Sequence, residues 1–302
     1  MGHNHSHSDV LTATKGRLIF VILLNLVITA AEVIGGLVSG SLALISDALH
    51  NFSDSISIVI SYIALKLKHR QNSPRHTFGL KRAEILAAVI NSAVLIVISF
   101  YLFYEAVKRF SSPEVIEPGI MSIVAFVGLL ANLLAVLLLR KDSKSSMNIR
   151  SSYLHLLSDT ISSVAVLGGG IAIFLWQIHW IDPLLTILIG IYIIKESYSI
   201  LLEAIHVLME GAPTNISIEE IQLEVEKFSE VENIHHIHMW MVGENDIHLE
   251  AHVNVQDMKI SESDRLRKKI IERLHDRFDI HHITLQFECN QCPESDLIEQ
   301  HK

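Results

Sequence analysis

The chain has 302 residues, half of them hydrophobic and only 19% charged, with a mean hydropathy of +0.38. Water-soluble domains rarely reach that value, so composition places the chain among membrane proteins. The formal net charge of −9 leaves no domain-wide basic face for phosphates and argues against nucleic acid as a partner, whereas the same balance with 18 histidines suits cations.

Residues 1–16 are polar, with His3, His5 and His7 alternating among small residues. They lack the apolar core and cleavage site of a signal peptide, so a tail is expected, either metal-capturing or disordered. Apolar runs follow at 18–38, 41–67, 83–107, 119–139, 152–176 and 181–209. Each is close to the roughly 20 residues that one bilayer crossing takes. An all-α six-helix membrane bundle is therefore expected over residues 17–210. Basic residues gather after the second run (Lys66, Lys68, Arg70, Arg75, Lys81, Arg82) and the fourth (Arg140, Lys141, Lys144, Arg150), against Glu114, Glu117 and Asp182 elsewhere. Both termini thus read as cytoplasmic.

Two of the runs carry nearly the same polar text, His50-Asn51-Phe52-Ser53-Asp54-Ser55-Ile56-Ser57 and His155-Leu156-Leu157-Ser158-Asp159-Thr160-Ile161-Ser162. A His and an Asp four residues apart lie one above the other on a helix face. Two imidazoles and two carboxylates meeting between two helices make a ligand set suited to tetrahedral Zn²⁺. Ionisable groups at that depth are expensive unless they are functional, which argues against a purely structural role. A ligating His must be neutral, so metal and proton compete for the same nitrogen. The second and fifth runs cross in opposite directions, the inverted arrangement around which transporters build a central site. Asp47 shares the face of His50 and Asp54 and is expected to line the approach or to orient a ligating His. In the basic loop that follows, His76 could hold at most a weak or transient ion.

After Glu210-Gly211-Ala212-Pro213 the pattern becomes polar and mixed. Residues 214–228 read as an amphipathic helix opened by Asn215 or Ser217, 234–242 and 247–255 as strands about a turn, 261–278 as a second helix and 281–288 as a third strand. The order αββαβ predicts a cytoplasmic α+β regulatory and dimerisation domain over 211–302, large enough for one core. Strict alternation sends His235 to one sheet face and His236 and His238 to the other, so the three cannot all share an ion. His252, Glu288 and one or two of the others could, with solvated surface histidines as the alternative. Cys289 and Cys292 form a Cys-x-x-Cys pair without thioredoxin-like context, which favours metal over redox chemistry.

The paired His-x-x-x-Asp motifs, the segment His76-Thr77-Phe78-Gly79-Leu80-Lys81-Arg82-Ala83-Glu84, the Glu210-Gly211-Ala212-Pro213 junction and the αββαβ tail together resemble the cation diffusion facilitator family, in its zinc-exporting branch, from residue 15 onward. The resemblance implies a homodimer in the inner (plasma) membrane with metallochaperone-like cytoplasmic domains, exchanging Zn²⁺ for H⁺ by alternating access. It implies that His50, Asp54, His155 and Asp159 form the transport site. His at the first motif position implies zinc rather than manganese, though an N₂O₂ set also accepts Cd²⁺ and Co²⁺. By analogy, His235 or His238, His252, His281 and Glu288 would supply zinc sites that link the protomers. Cys289 and Cys292, alone or with His3, His5 or His7 of the neighbouring chain, resemble a further site. The competing class, a membrane-embedded zinc-dependent hydrolase, needs an open coordination position and a base such as HExxH supplies, and no such motif occurs. No GxxxxGK[ST] loop is present to bind a nucleotide.

Overall fold

The computed structural model describes residues 6–68, 73–140, 147–243, 246–289 and 297; side chains at 6–22, 54, 57–68, 139, 147–152, 154 and 155 lie outside the description. The elements in order are α1 (Ser6–Ser39), α2 (Leu42–Lys68), α3 (Arg82–Ser111), α4 (Pro118–Leu139), α5 (Met147–Trp176), α6 (Ile181–Leu208), α7 (Ile218–Val225), β1 (Val231–Gly243), β2 (Asp246–Val255), α8 (Ile260–Phe278) and β3 (His282–Glu288). They divide into two compact units, Met1–Ser61 with Ile90–Ile200 and Tyr62–Val89 with Leu201–Lys302. The second unit thus takes in the segment 62–89 and the last turns of α6 alongside the C-terminal residues.

Among the described residues, four helices are long and apolar enough to cross a membrane by length and composition: α3, α4, α5 from Leu156, and α6. The described apolar part of α1 is shorter, Leu23–Ser39. α2 is a continuous helix whose apolar sequence is interrupted by buried Asp47, His50, Asn51 and Ser53. Leu44, Met121, Val166, Ile173 and Ile193 form the centre of the first unit's core, while Val97, Phe100, Tyr104, Ile123, Leu137 and Phe174 point outward. An apolar exterior around a core with polar groups is the arrangement a lipid environment demands.

The start of α2 is fixed from another helix. A helix start leaves backbone N–H groups without intrahelical acceptors, and the Asp182 carboxylate of α6 accepts from Leu42 N at 3.0 Å, Ala43 N at 3.2 Å and Ser41 Oγ at 2.5 Å. α3 runs on to Ser111, so Lys108 and Arg109 sit in its last turn on the side read as outer from the loops. Arg109 is nevertheless taken up locally, lying 2.7 Å from Glu114 and 3.8 Å from Asp182 and donating to Gly40 O at 2.5 Å. Gly40 sits at φ 73, in the left-handed region that a residue without Cβ enters freely. Glu32 on α1, almost fully buried, accepts from Asn51 Nδ2 on α2 at 2.9 Å. α4 leaves room for that carboxylate by presenting Gly128, where a Cβ would fall 2.5 Å from Glu32 Oε1.

In the second unit the sheet order is β1-β2-β3, with β1 antiparallel and β3 parallel to β2. α8 supplies the crossover that a parallel pairing requires. One sheet face carries Ile234, Ile237, Met239, Leu249, Ala251 and Val253, and α7 and α8 cover it with Ile221, Val225, Leu266, Ile270 and Leu274. Each fully buried Leu or Ile there contributes about 1.5–3 kcal/mol. The helix expected over 214–228 is shorter because Ser217 caps it, its Oγ accepting from Glu219 N at 3.2 Å. At the head of α8, Glu262 reaches back to accept from Lys259 N at 3.2 Å. Glu224 of α7 is buried on the core side among three cations, Lys227, Arg273 and Arg277. Its hydrogen bonds to Lys227 and then Arg273, with the charge of Arg277, hold its carboxyl down to about 2.

Candidate metal centres

The two membrane motifs lie on α2 and α5, as their spacing requires. Across the helices His50 Nε2 lies 3.3 Å from Asp159 Oδ1, with the two side chains 7% and 1% exposed. The side chains of Asp54 and His155 lie outside the described residues, although the backbone of both is helical. Asp47, one turn before His50 and buried, accepts from Ser162 Oγ of α5 at 2.5 Å, so it ties α2 to α5 beside the His50–Asp159 contact. Tyr192 of α6 meets His50 edge to face at 5.4 Å between centroids, and its hydroxyl lies 3.3 Å from Ser158 Oγ. Tyr192 was not among the residues singled out from the sequence, since a tyrosine in an apolar run carries no spacing signal, whereas Ser162 ends the second of the two matching segments.

The cytoplasmic candidates arrange themselves differently from strict alternation. β1 carries an irregularity between His235 and His238, where His236 adopts φ 50. That extra residue on one strand is a bulge, which re-aims the side chains that follow it. Ile234 and Ile237 both face the core, so His235, His236 and His238 all belong to the opposite, helix-free face; the expected split between His235 and the other two does not hold. His236 stacks on His252 at 4.7 Å and meets His238 at 4.9 Å, while His235 meets His252 edge-on at 5.5 Å.

Within this face His235, His252 and Glu288, one from each strand, offer ligand atoms that all lie within 4.8 Å of one another. His252 Nδ1 is 2.9 Å from Glu288 Oε1, and His235 Nε2 is 3.4 Å from Glu288 Oε2. His235 Nε2 and Glu288 Oε2 are buried with no hydrogen-bond partner among the described residues. Two nitrogens and a carboxylate so placed fit a divalent ion, which would satisfy both orphaned atoms. His235 Nδ1 lies 2.9 Å from Asn233 Oδ1, a contact that fixes the ring and leaves Nε2 for a ligand. Asn233 was missed from the sequence; the signal available was its position two residues before the histidine, on the same strand face.

The remaining candidates lie apart from the triad. His238 and His76 line a cavity of about 860 Å³ together with Arg75, Lys81, Arg82 and Glu250. Arg75, Lys81 and Arg82 oppose a cation there, although Lys81 pairs with Asp246 and Arg82 with Glu210. His281 stands beside His275 and Asp279 rather than with His235, His252 and Glu288. Cys289 is exposed just beyond β3. Cys292, His3 and His5 lie outside the described residues, as does the side chain of His7.

Apolar helices around a buried His–Asp contact, followed by an αββαβ unit bearing a His₂Glu cluster, define an integral membrane protein that handles metal cations. Residues 18–209 match the cation efflux transmembrane domain and residues 213–289 the cytoplasmic domain of cation efflux proteins. The chain belongs to the cation efflux, or cation diffusion facilitator, family and is a membrane transporter rather than an enzyme. It is 39% identical over 291 residues to a Bacillus subtilis protein named cadmium, cobalt and zinc/H(+)-K(+) antiporter, covering 95% of this chain and 92% of that one. It is 37% identical over 296 residues to the zinc transporter ZitB of Pectobacterium atrosepticum, covering 97% and 91%. A Cupriavidus metallidurans metal cation efflux system protein, CzcD, is 33% identical over 295 residues, covering 98% and 92%.

Proposed function

We propose that the protein is a proton-coupled antiporter that exports Zn²⁺, and with the same ligands Cd²⁺ or Co²⁺, from the cytoplasm. The observation that carries this reading is the close approach of His50 Nε2 and Asp159 Oδ1, buried between α2 and α5, with one residue from each of two matching motifs. Asp54 and His155, on the same helices and one turn from those two, complete an N₂O₂ set. The names of the relatives, which specify zinc, cadmium and cobalt and in one group protons, support the same substrates and coupling.

In this reading Zn²⁺ enters from the cytoplasmic side and displaces protons from the imidazole and carboxylate atoms it binds. Protons arriving from the far side recharge the same atoms and expel the ion. Four ligands leave no position for a catalytic water, which separates this site from that of a zinc hydrolase. Asp47 assists by holding α2 to α5 through Ser162. Alternating access then requires only that α2 and α5 change their packing about the site.

On this reading the chain crosses the inner membrane of a bacterial-type cell six times over residues 17–210, with the 1–16 tail and the 211–302 domain both cytoplasmic. The 211–302 domain joins two chains in a homodimer and holds Zn²⁺ through His235, His252 and Glu288, where the ion would lock three strands together. Cys289 and Cys292 add thiolate ligands at the end of that domain.

The test is exchange in proteoliposomes. With an imposed pH gradient and no nucleotide, the parent takes up Zn²⁺ and releases protons, while Asp54→Ala and Asp159→Ala abolish both and remain folded dimers. Undiminished exchange by both variants would sink the assignment.

A further inference from the structure

We propose that His275, Asp279 and His281 form an additional divalent-cation site at the C-terminal end of α8, separate from both the His50–Asp159 contact and the His235–His252–Glu288 cluster. Their ligand atoms, one per residue, all lie within 4.8 Å of one another. His281 Nε2 is 3.8 Å from Asp279 Oδ1, and the two imidazole centroids are 5.6 Å apart. Ligands around a tetrahedral zinc ion stand about 3.3 Å apart, so small side-chain rotations close the set.

The backbone under the three residues is fixed, which reduces the ordering that binding would require. Asp279 N donates to His275 O at 2.9 Å, and Asp279 ends the helix in the left-handed conformation at φ 56. This ties the first ligand directly to the second. Leu274, just before His275, and Ile280, between Asp279 and His281, are buried in the core with at most 1% exposure. His281 is therefore held between a buried anchor and the first residue of β3, His282.

Charge favours a cation at the same place. The end of a helix carries the negative pole of its dipole and free carbonyl groups. The neighbouring Asp276 carboxylate lies 3.6 Å from His275 Nδ1, adding negative charge and steadying the ring. All three ligand residues are solvent-accessible, so water can supply the remaining coordination positions and the ion can exchange with solution. Two nitrogens and one oxygen suit Zn²⁺, Co²⁺ or Ni²⁺ over the harder Mg²⁺ and Ca²⁺.

The test counts metal on the full-length protein in detergent, stripped with chelator and dialysed to equilibrium against Zn²⁺ alone. At a free concentration that saturates the parent, His275→Gln and Asp279→Asn each bind one Zn²⁺ fewer per chain. Combined with His252→Ala, either loses a further equivalent, because the two sites are independent. Asn is chosen at 279 because it tolerates the left-handed backbone, and all three residues lie outside the core. Full occupancy in both His275→Gln and Asp279→Asn overturns the proposal. So does loss of an equivalent in His281→Gln alone, which would assign that imidazole to another site.

Discussion

The His50–Asp159 contact and the His235–His252–Glu288 cluster use similar ligands on opposite kinds of scaffold. The first joins two helices whose link beside it is side-chain hydrogen bonding, Asp47 to Ser162. The second spans three strands paired backbone to backbone in one sheet, with His235 opposite His252 on β1 and β2. Helices packed through side chains can shift by small translations and rotations, whereas neighbouring strands cannot part without losing their ladder. On the function proposed above, the site that opens alternately to two sides sits on the former, and the one that would hold an ion as a fastening sits on the latter.

The largest effect that would sharpen this contrast concerns the orientation of His235. If the sheet alone fixes the cluster, Asn233 is dispensable; if the Asn233 Oδ1 contact at 2.9 Å sets the tautomer, it is not. Partners that orient a ligating histidine are worth about 10–100-fold in metal affinity. Asn233→Ala is expected to weaken Zn²⁺ binding at that site by this factor, read by competition with a chelator on the full-length protein, with the Zn²⁺ count unchanged at saturation. An unchanged competition curve would show that strand pairing suffices.

A smaller effect tests the scaffold itself. Glu224 is a buried carboxylate facing Lys227, Arg273 and Arg277, and so links α7 to α8 on the back of the sheet. Its carboxyl, held down to about 2 from an ordinary 4.5, contributes stability that is present above about pH 4.5 and lost as pH falls toward 2. Glu224→Gln should lower the unfolding midpoint of this unit by a few degrees at neutral pH and flatten its acid dependence. Faster hydrogen exchange of α7 and α8 amides would report it, with the His50–Asp159 region unaffected. Equal loosening in both regions would mean that the two are not energetically separate.

The sequence made the helical half of this comparison readable and left the sheet half partly hidden, for a physical reason. Along a helix, residues four apart always share a face, so His50, Asp54, His155 and Asp159 could be paired by counting. In a strand the same counting works only while the register is unbroken. One residue at φ 50, His236, was enough to move His235 onto the face of His236 and His238. Nothing about a histidine announces a bulge, since it lacks the glycine that would usually mark one. His281 was misplaced by a related limit: counted as part of β3, it belongs to the turn before it, where the left-handed Asp279 aims it toward His275. The αββαβ order was legible, and the start of α7 was narrowed to Asn215 or Ser217, because periodicity and capping are local.

The smallest expected effect lies on the same sheet face, at His248. Its ring is buried against Phe78 at 5.1 Å, Trp240 at 5.5 Å and His282 at 4.6 Å, while Lys81 nearby bonds to Asp246 at 2.8 Å. Burial, then the positive charges of His282 and Lys81, push its pKa below the usual histidine value, with Asp246 opposing them in part. The folded state thus holds fewer protons on His248 than the unfolded chain does, and stability falls as pH drops from about 6.5 toward the depressed value. Protonation places a further positive charge beside Lys81 and loosens the packing of Phe78, in the segment before α3, on the sheet. Trp240 reports the change, because an adjacent imidazolium quenches indole fluorescence. Below about pH 6.5 the parent should lose emission reversibly, and His248→Gln should hold it constant across the same range. A persisting transition in that variant would place the titrating group elsewhere and leave His248 a packing residue whose burial carries no pH sensitivity.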